Sequence, residues 1–372
     1  MPSDSVDVTQ PLAPAPRPAP ARRWTPKRVV ATPAAYDHPH GRRIMALVEA
    51  EGIEVERLRG NRLTGLRGEN DRQTYARAKA TMAIVVSPPS RRKLQPIAPS
   101  ADWGFDLAVG CPAHCQYCYL AGSLSGPPVT RVYADLDDIL AGLEDYAGRG
   151  TITSRREARR AEGTTFEASC YTDPLALEHL TGSWRRAVEY FGAWDAPVQL
   201  RWTTKFDDVG GFIGLPHHGR TRVRLSVNCR PVTNRVEGGT SSLPDRLTAL
   251  RRLAQDGYPV GVTIAPIIAV PDWRTSYGDL LDDIADAVRD VPQLDLTAEL
   301  ITHRFTPGSK EVLLDWYPRT KLEMDEATRS RKHGKFGAVK YVYPAATMAE
   351  LRSWFYREIA ERLPSCRILY WT

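Results

Sequence analysis

Cys111-Pro112-Ala113-His114-Cys115-Gln116-Tyr117-Cys118-Tyr119-Leu120 follows the apolar run Phe105-Asp106-Leu107-Ala108-Val109-Gly110. A strand that ends at Gly110 and opens into a tight loop can fold three sulfurs around one inorganic centre, because soft thiolates select zinc or iron–sulfur clusters. Structural zinc takes four ligands, commonly as two pairs, and here only Cys115 and Cys118 are spaced as a pair. Cys-x3-Cys-x2-Cys with no fourth cysteine nearby suits a [4Fe-4S] cluster that leaves one iron open for chemistry. Two other readings stand beside it. The thiols pack as small buried hydrophobes, or they hold zinc with His114 as fourth ligand, which inside so short a loop strains the tetrahedron.

The rest of the composition sets bounds. A chain of 372 residues, 42% hydrophobic and 25% charged, buries a core of barrel size or two smaller ones. Its net charge of +6 permits an acidic partner such as nucleic acid without requiring one. Six cysteines, three of them in one loop, do not make a disulfide framework, which places the chain in a reducing cytoplasm. No stretch approaches the roughly 18 uncharged apolar residues of a membrane span. The expectation is a soluble, cytoplasmic monomer with no membrane partner.

Four segments are expected. Residues 1–26, with Pro11, Pro14, Pro16, Pro18 and Pro20, form a disordered tail. Residues 27–100 form an N-terminal α/β segment, with a strand at Val29–Ala31, a helix from Gly41 to Glu51 and a strand at Thr81–Val86. Residues 101–325 start with a strand at Phe105–Val109 that delivers the cysteine loop and a helix from Asp135 to Tyr146. Strands at 164–170, 198–203, 222–227, 260–268 and 294–300 then alternate with helices. That alternation predicts an α/β fold with a parallel sheet closing into a partial (β/α)6 barrel. Active groups in such a fold sit at the C-terminal ends of strands, which brings Cys111, Cys170, Lys205, Ser226, Asn228 and Ala265 to one mouth.

Residues 326–372 change character. Arg329 to Tyr343 is basic, interleaved with aromatics and broken by Gly334 and Gly337, and reads as a β-hairpin. Its charges describe either a solvated turn or a nucleic-acid wedge. A helix from Met348 to Leu363 and an edge strand from Cys366 to Trp371 follow.

The cysteine spacing resembles that of the radical S-adenosylmethionine enzymes. Further stretches resemble one branch of them, the spore photoproduct lyase family: Phe166 to Asp173 with His179-Leu180-Thr181, Thr204-Lys205, Thr221 to Asn228, Gly257-Tyr258-Pro259, Ala265-Pro266-Ile267, His303 to Thr306 and Tyr317 to Glu323. Together they cover about residue 28 to the end. The resemblance implies a lyase that repairs a methylene-bridged thymine dimer in DNA, using a [4Fe-4S] cluster, S-adenosylmethionine and an electron donor such as flavodoxin or ferredoxin. It implies that Cys111, Cys115 and Cys118 hold the cluster and that Lys205 meets the carboxylate of S-adenosylmethionine. Ser226, Asn228 and Ala265 line that pocket, with Thr172 beside them where the family has a serine. Cys170 gives a hydrogen atom to the repaired thymine, and Tyr117 and Tyr119 pass the radical back. Lys335 and Phe336 stand where the family has an arginine and a tyrosine that prise out the lesion, with Arg331, Lys332 and Lys340 as further DNA contacts. Tyr171, Thr172 and Pro112-Ala113 depart from the family pattern, which leaves a different substrate as an alternative. A zinc-stabilised nucleic-acid-binding module is a remoter one.

Overall fold

A computed structural model describes residues 22–123, 126–333 and 339–372. Two sheets carry the chain. The smaller runs in the order Val55–Arg57, Arg28–Ala31, Thr81–Val85, Thr130–Tyr133, Ala108–Val109, parallel except for the last pair. Met82, Ala83 and Ile84 in its middle strand are fully buried, the near-continuous apolar run of a strand covered on both faces. Helix Pro39–Ala50 opens with Pro39 in its first turn and turns Ile44, Met45 and Val48 inward.

The larger sheet has eight strands, in the order Gln95–Ile97, Ala101–Gly104, Thr164–Glu167, Val198–Thr204, Thr221–Val227, Val260–Ile267, Leu296–Thr302, Arg367–Trp371. All are parallel except the first, which pairs antiparallel with the second. Helices Ser183–Ala193, Leu243–Gln255, Trp273–Val288 and Ala345–Arg362 lie among the crossovers, each burying an apolar stripe. The sheet curls into the open β/α barrel that the alternation predicts. Residues 22–26, assigned above to the tail, lie against it: Arg23 pairs with Asp208 at 2.8 Å, and the Trp24 carbonyl meets His179 Nε2 at 3.0 Å.

Side chains alternate along the barrel strands. Leu200, Trp202, Val223, Leu225, Leu296, Ala298 and Leu300 join the apolar core, whereas Glu167, Arg201, Arg224 and Glu299 occupy the other register and are also buried. Both Glu299 oxygens accept from Arg224 Nη1 at 2.7 Å, Oε1 accepts from Arg201 at 2.9 Å, and Oε2 accepts from the Tyr370 hydroxyl at 3.0 Å. Arg224 reaches Glu167 with its other nitrogen. The lattice joins four strands by ionic contacts inside the curl and a fifth through the Tyr370 hydroxyl.

Three local expectations change. Phe105–Val109 is not one strand: Ala101–Gly104 belongs to the barrel, Ala108–Val109 to the small sheet. The chain crosses between sheets at Phe105, Asp106 and Leu107, where Asp106 pairs with Arg91 at 2.9 Å and the Phe105 amide donates to the Glu167 carbonyl at 3.0 Å. The helix expected from Asp135 to Tyr146 is Leu136–Ala141 followed by a 3-10 turn at Glu144–Tyr146, because Gly142 interrupts it. The strand expected to reach Cys170 ends at Glu167.

Burial alone raises the Glu299 carboxyl pKa, but Arg224 and Arg201 beside it hold it below the ordinary glutamate range. A carboxyl depressed on folding contributes stability above its unfolded pKa and loses it as pH falls through the folded one. Glu299→Gln, which strands two buried guanidinium groups, is expected to lower unfolding free energy at pH 7 by about 3–5 kcal/mol. Denaturant titrations of the two proteins should converge as pH drops below about 4; a difference unchanged down to pH 3 would contradict this.

Candidate active site

Gly110 begins the site. Its φ is +95°, its amide donates to the Tyr171 carbonyl at 2.8 Å, and a Cβ would fall 2.3 Å from the Val129 carbonyl oxygen. Only glycine fits there. The loop that follows is pinned at several points. His114–Cys115 forms a two-residue antiparallel bridge with Glu237–Gly238, and the Gln116 amide donates to the Val236 carbonyl at 2.8 Å. The Lys79 ammonium caps the carbonyls of Cys111 and Ala113. Tyr75, stacked on Trp316 with ring centroids 4.5 Å apart, meets His114 Nδ1 at 3.1 Å and the Tyr317 hydroxyl at 2.5 Å.

His114 is thereby engaged with Tyr75. Cys115 is buried, and Cys111 and Cys118 are half-buried. Among the described residues no set of three or more His, Cys, Asp and Glu side chains closes around a single ion. A four-iron cluster takes each thiolate on a different iron and does not ask the sulfurs to converge on one point. Three soft donors on one pinned loop fit such a group.

Cys170 stands three residues beyond its strand, and its Sγ lies 3.2 Å from where a Cβ on Gly104 would be. The Tyr119 hydroxyl donates to the Cys170 carbonyl, and the Tyr119 side chain is otherwise open to the mouth, 61% exposed. The Arg91 guanidinium lies 4.4 Å over the Tyr171 ring. The Thr172 hydroxyl donates to the Gly110 carbonyl at 2.6 Å, so the Cys170 and cysteine loops are tied at the same glycine. Asp173 then accepts from Thr204 Oγ1 at 2.6 Å and from the Lys205 amide at 2.7 Å, which sets where the lysine starts.

Lys205 Nζ donates to Ser226 Oγ at 2.7 Å and to Glu237 Oε1 at 3.1 Å, and sits 5.4 Å from the Tyr117 ring centroid. The Tyr117 hydroxyl donates to the same Glu237 oxygen. Arg246, from helix Leu243–Gln255, donates to Glu237 Oε2 at 2.6 Å and to the Ser226 carbonyl at 3.0 Å. Burial pushes the Glu237 carboxyl up, but Lys205 and Arg246 hold it down at about 2. Asn228 donates to the Pro266 carbonyl at 2.7 Å and accepts from the Tyr277 hydroxyl at 2.9 Å, fastening its strand end beside Ala265.

The structure thus brings Cys111, Cys115, Cys118, Tyr117, Tyr119, Cys170, Thr172, Lys205 and Ser226 into one linked network, with Asn228 and Ala265 on the neighbouring strand ends. Arg331, Lys332 and Lys340 lie elsewhere, on the exposed hairpin of Ser330–His333 and Val339–Val342. That hairpin is anchored through paired backbone bonds between Phe305 and Tyr341, at 3.2 and 2.8 Å. Lys335 and Phe336 fall outside the described residues. Sequence reasoning passed over Glu237, Arg246, Asp173 and Lys79. Of these only Asp173 carried a signal, as the last residue of the run shared with the family around Cys170.

Burial, with Asp106 nearby, pushes the Cys170 thiol up to about 12. It stays protonated at any working pH, the form in which sulfur gives a hydrogen atom rather than acting as a nucleophile. Alkylation of Cys170 by iodoacetamide at pH 8, followed by mass spectrometry, is expected to run at least roughly a hundredfold slower than for a free thiol of ordinary pKa. A rate near that of free cysteine would contradict the raised thiol pKa.

Comparison with known proteins agrees along nearly the whole chain. The family model described as spore photoproduct lyase matches residues 24–372. The spore photoproduct lyase of Geobacillus sp. (strain Y412MC61) is 39% identical over 352 residues, 94% of this chain and 99% of the relative. That of Bacillus subtilis (strain 168) is 35% identical over 350 residues, again 94% and 99%. A solved spore photoproduct lyase complexed with dinucleoside spore photoproduct superposes with a TM-score of 0.85 at 37% identity, covering 94% of this chain and 99% of that one. A mutant of that enzyme with bound AdoMet and the same dinucleoside matches at a TM-score of 0.85 and 36% identity, with the same coverage. Similarity of this extent, over a mouth built from the cysteine loop, Cys170 and Lys205, means that the chain belongs to the spore photoproduct lyase family.

Proposed function

We propose that this chain is a radical S-adenosylmethionine lyase that returns the methylene-bridged thymine dimer of DNA to two thymines. The observation that carries it is Cys170: a thiol held protonated at the mouth, its loop tied to the cysteine loop through Gly110 and its carbonyl to Tyr119. Family membership and the relatives solved with the dinucleoside lesion support the same reading.

Cys111, Cys115 and Cys118 hold the [4Fe-4S] cluster, and Lys205, Ser226, Asn228, Ala265 and Thr172 form the S-adenosylmethionine pocket. Bound there, the two groups would supply the radical chemistry that opens the cross-link and leaves a radical on one thymine. The work of the chain begins with the thymine radical that remains. The Cys170 S–H bond breaks, a C–H bond forms on thymine, and the unpaired electron moves to sulfur. Tyr119 stands beside Cys170 to return a hydrogen atom from its O–H, which regenerates the thiol and leaves the radical on the tyrosine. Tyr117, whose ring lies beside Lys205, is assigned the next transfer, back toward the cofactor pocket.

The hairpin is the DNA contact in this reading. Lys332 faces Lys340 across the strands, and like charges opposed in this way repel until a phosphate sits between them. Lys335 and Phe336 are assigned to extruding the lesion, at a cost of a few kcal/mol that is lower for a damaged base. An acidic electron carrier such as flavodoxin or ferredoxin supplies the electron, and the chain works as a cytoplasmic monomer. Among the described residues no helix is long and apolar enough to cross a membrane.

The test is anaerobic reconstitution with iron and sulfide, then reduction with S-adenosylmethionine and a thymine-lesion dinucleotide. Dithymidine and 5′-deoxyadenosine should both form, and Cys170→Ala should lower repair by about tenfold or more, or divert it to an adduct. Deoxyadenosine without dithymidine would keep the radical chemistry and favour another substrate, the reading to which Tyr171 under Arg91 lends a specific motive. A colourless protein with stoichiometric zinc would sink both.

A further inference from the structure

Glu237 touches the site through both its main chain and its side chain. Its backbone pairs with Cys115 in the two-residue bridge that holds the cysteine loop. Its carboxylate has no exposed surface and accepts from Lys205, Tyr117 and Arg246. Two cations meet one anion there, so the cluster of side chains keeps one net positive charge.

The geometry decides which cation carries it. Arg246, 1% exposed, directs three more of its five donors to the carbonyls of Ser226 and Ser241 and to Thr240 Oγ1, at 3.0, 3.0 and 2.8 Å, and almost none of its surface faces the mouth as the ammonium of Lys205 does. Lys205 is 15% exposed. Of its three N–H bonds two go to Ser226 and Glu237, which leaves one for a ligand at the mouth. An ammonium on a four-carbon stem is otherwise a mobile point charge, and a carboxylate at its side removes that freedom before the ligand arrives.

We infer that Glu237 is a positioning residue that fixes the Lys205 ammonium at a set height over the cysteine loop, with one N–H presented to the carboxylate of S-adenosylmethionine. It holds the Tyr117 hydroxyl on the same oxygen, so the lysine and the tyrosine share one anchor. This rests on Lys205 being the residue that meets the cofactor's carboxylate.

The experiment uses the full chain with its cluster reconstituted, and measures S-adenosylmethionine affinity by anaerobic calorimetry alongside iron content and thermal midpoint. Glu237→Gln should raise Kd roughly tenfold while Lys205→Met raises it by a similar factor, and the double variant should be no weaker than Lys205→Met alone within about twofold, because both changes remove one contact. Iron content should hold, since the backbone bridge to Cys115 does not use the side chain. A residue that only neutralised Arg246 would lower the thermal midpoint and leave Kd unchanged, and that result overturns the inference. Should Glu237→Gln fail to fold, Glu237→Gln with Arg246→Met removes both buried charges. It must show the same rise in Kd, and a Kd within about twofold of the unmodified chain overturns the proposal. If the unmodified chain does not bind S-adenosylmethionine, the functional reading falls along with it; if it binds and the variants bind equally, only the role of Glu237 falls.

Discussion

The carboxylate of Glu299, fully enclosed by the barrel, is the contact on which the shape of the mouth depends. A buried anion is tolerated only when cations and donors surround it, and Glu299 draws Arg224, Arg201 and Tyr370 from three different strands. Arg224 then reaches Glu167, Glu167 accepts from the Ser169 hydroxyl, and Ser169 Oγ accepts from the Thr203 amide at 2.9 Å. The chain of contacts ends one residue before Cys170. A lattice of this kind pairs each charge with an opposite one in few alternative arrangements. It therefore fixes the strand end that leads to Cys170 more tightly than apolar packing alone.

From that strand end the chemistry is brought to the cysteine loop by Gly110. The glycine's amide and carbonyl are each taken by the Cys170 loop, one through the Tyr171 carbonyl and the other through the Thr172 hydroxyl. Displacement of either loop moves the other. This matters for the hydrogen-atom donation proposed for Cys170, because a donor has to be in place before the radical forms. Gly104 contributes by having no side chain where the sulfur lies. The cross-link between loops also explains why Thr172 keeps a hydroxyl although its extra methyl departs from the family's serine: the hydrogen bond survives the change.

Most of the barrel was legible in the sequence, and of the small sheet only the strands at Arg28–Ala31 and Thr81–Val85. Strands such as Val198–Thr204 and Val260–Ile267 fall within one or two residues of expectation because they are long and buried almost throughout. Arg201 and Arg224 carry no period-based hint of burial, since their partners come from strands far away in sequence. The strands at 55–57, 101–104, 108–109 and 130–133 are two to four residues long, too short to show a period. Helix Asp71–Lys79 has a readable start, with Asn70 accepting from the Gln73 amide at 3.0 Å. It has no apolar stripe, because it buries Tyr75 and Lys79 against the cysteine loop instead. Cys111, Cys115, Cys118, Cys170 and Lys205 stood out through motif resemblance. Glu237 lay hidden because its role exists only once a helix end, a strand end and the cysteine loop have been folded together.

The hairpin differs in kind from the mouth. Its strands expose Arg331, Lys332 and Lys340 and set Lys332 against Lys340, an arrangement that weakens an isolated hairpin. What holds it is its base, where the Phe305 and Tyr341 rings stack at 5.3 Å and Arg329 lies 3.8 Å over Tyr343. An anion placed between Lys332 and Lys340 would relieve that repulsion, which is the charge pattern the proposed DNA contact needs. The mouth shows the opposite design, with its carboxylates neutralised and its loops pinned in advance. Contact with a long polyanion tolerates adjustment, whereas transfer of a hydrogen atom does not, and the two parts of the chain suit the separate roles proposed for them.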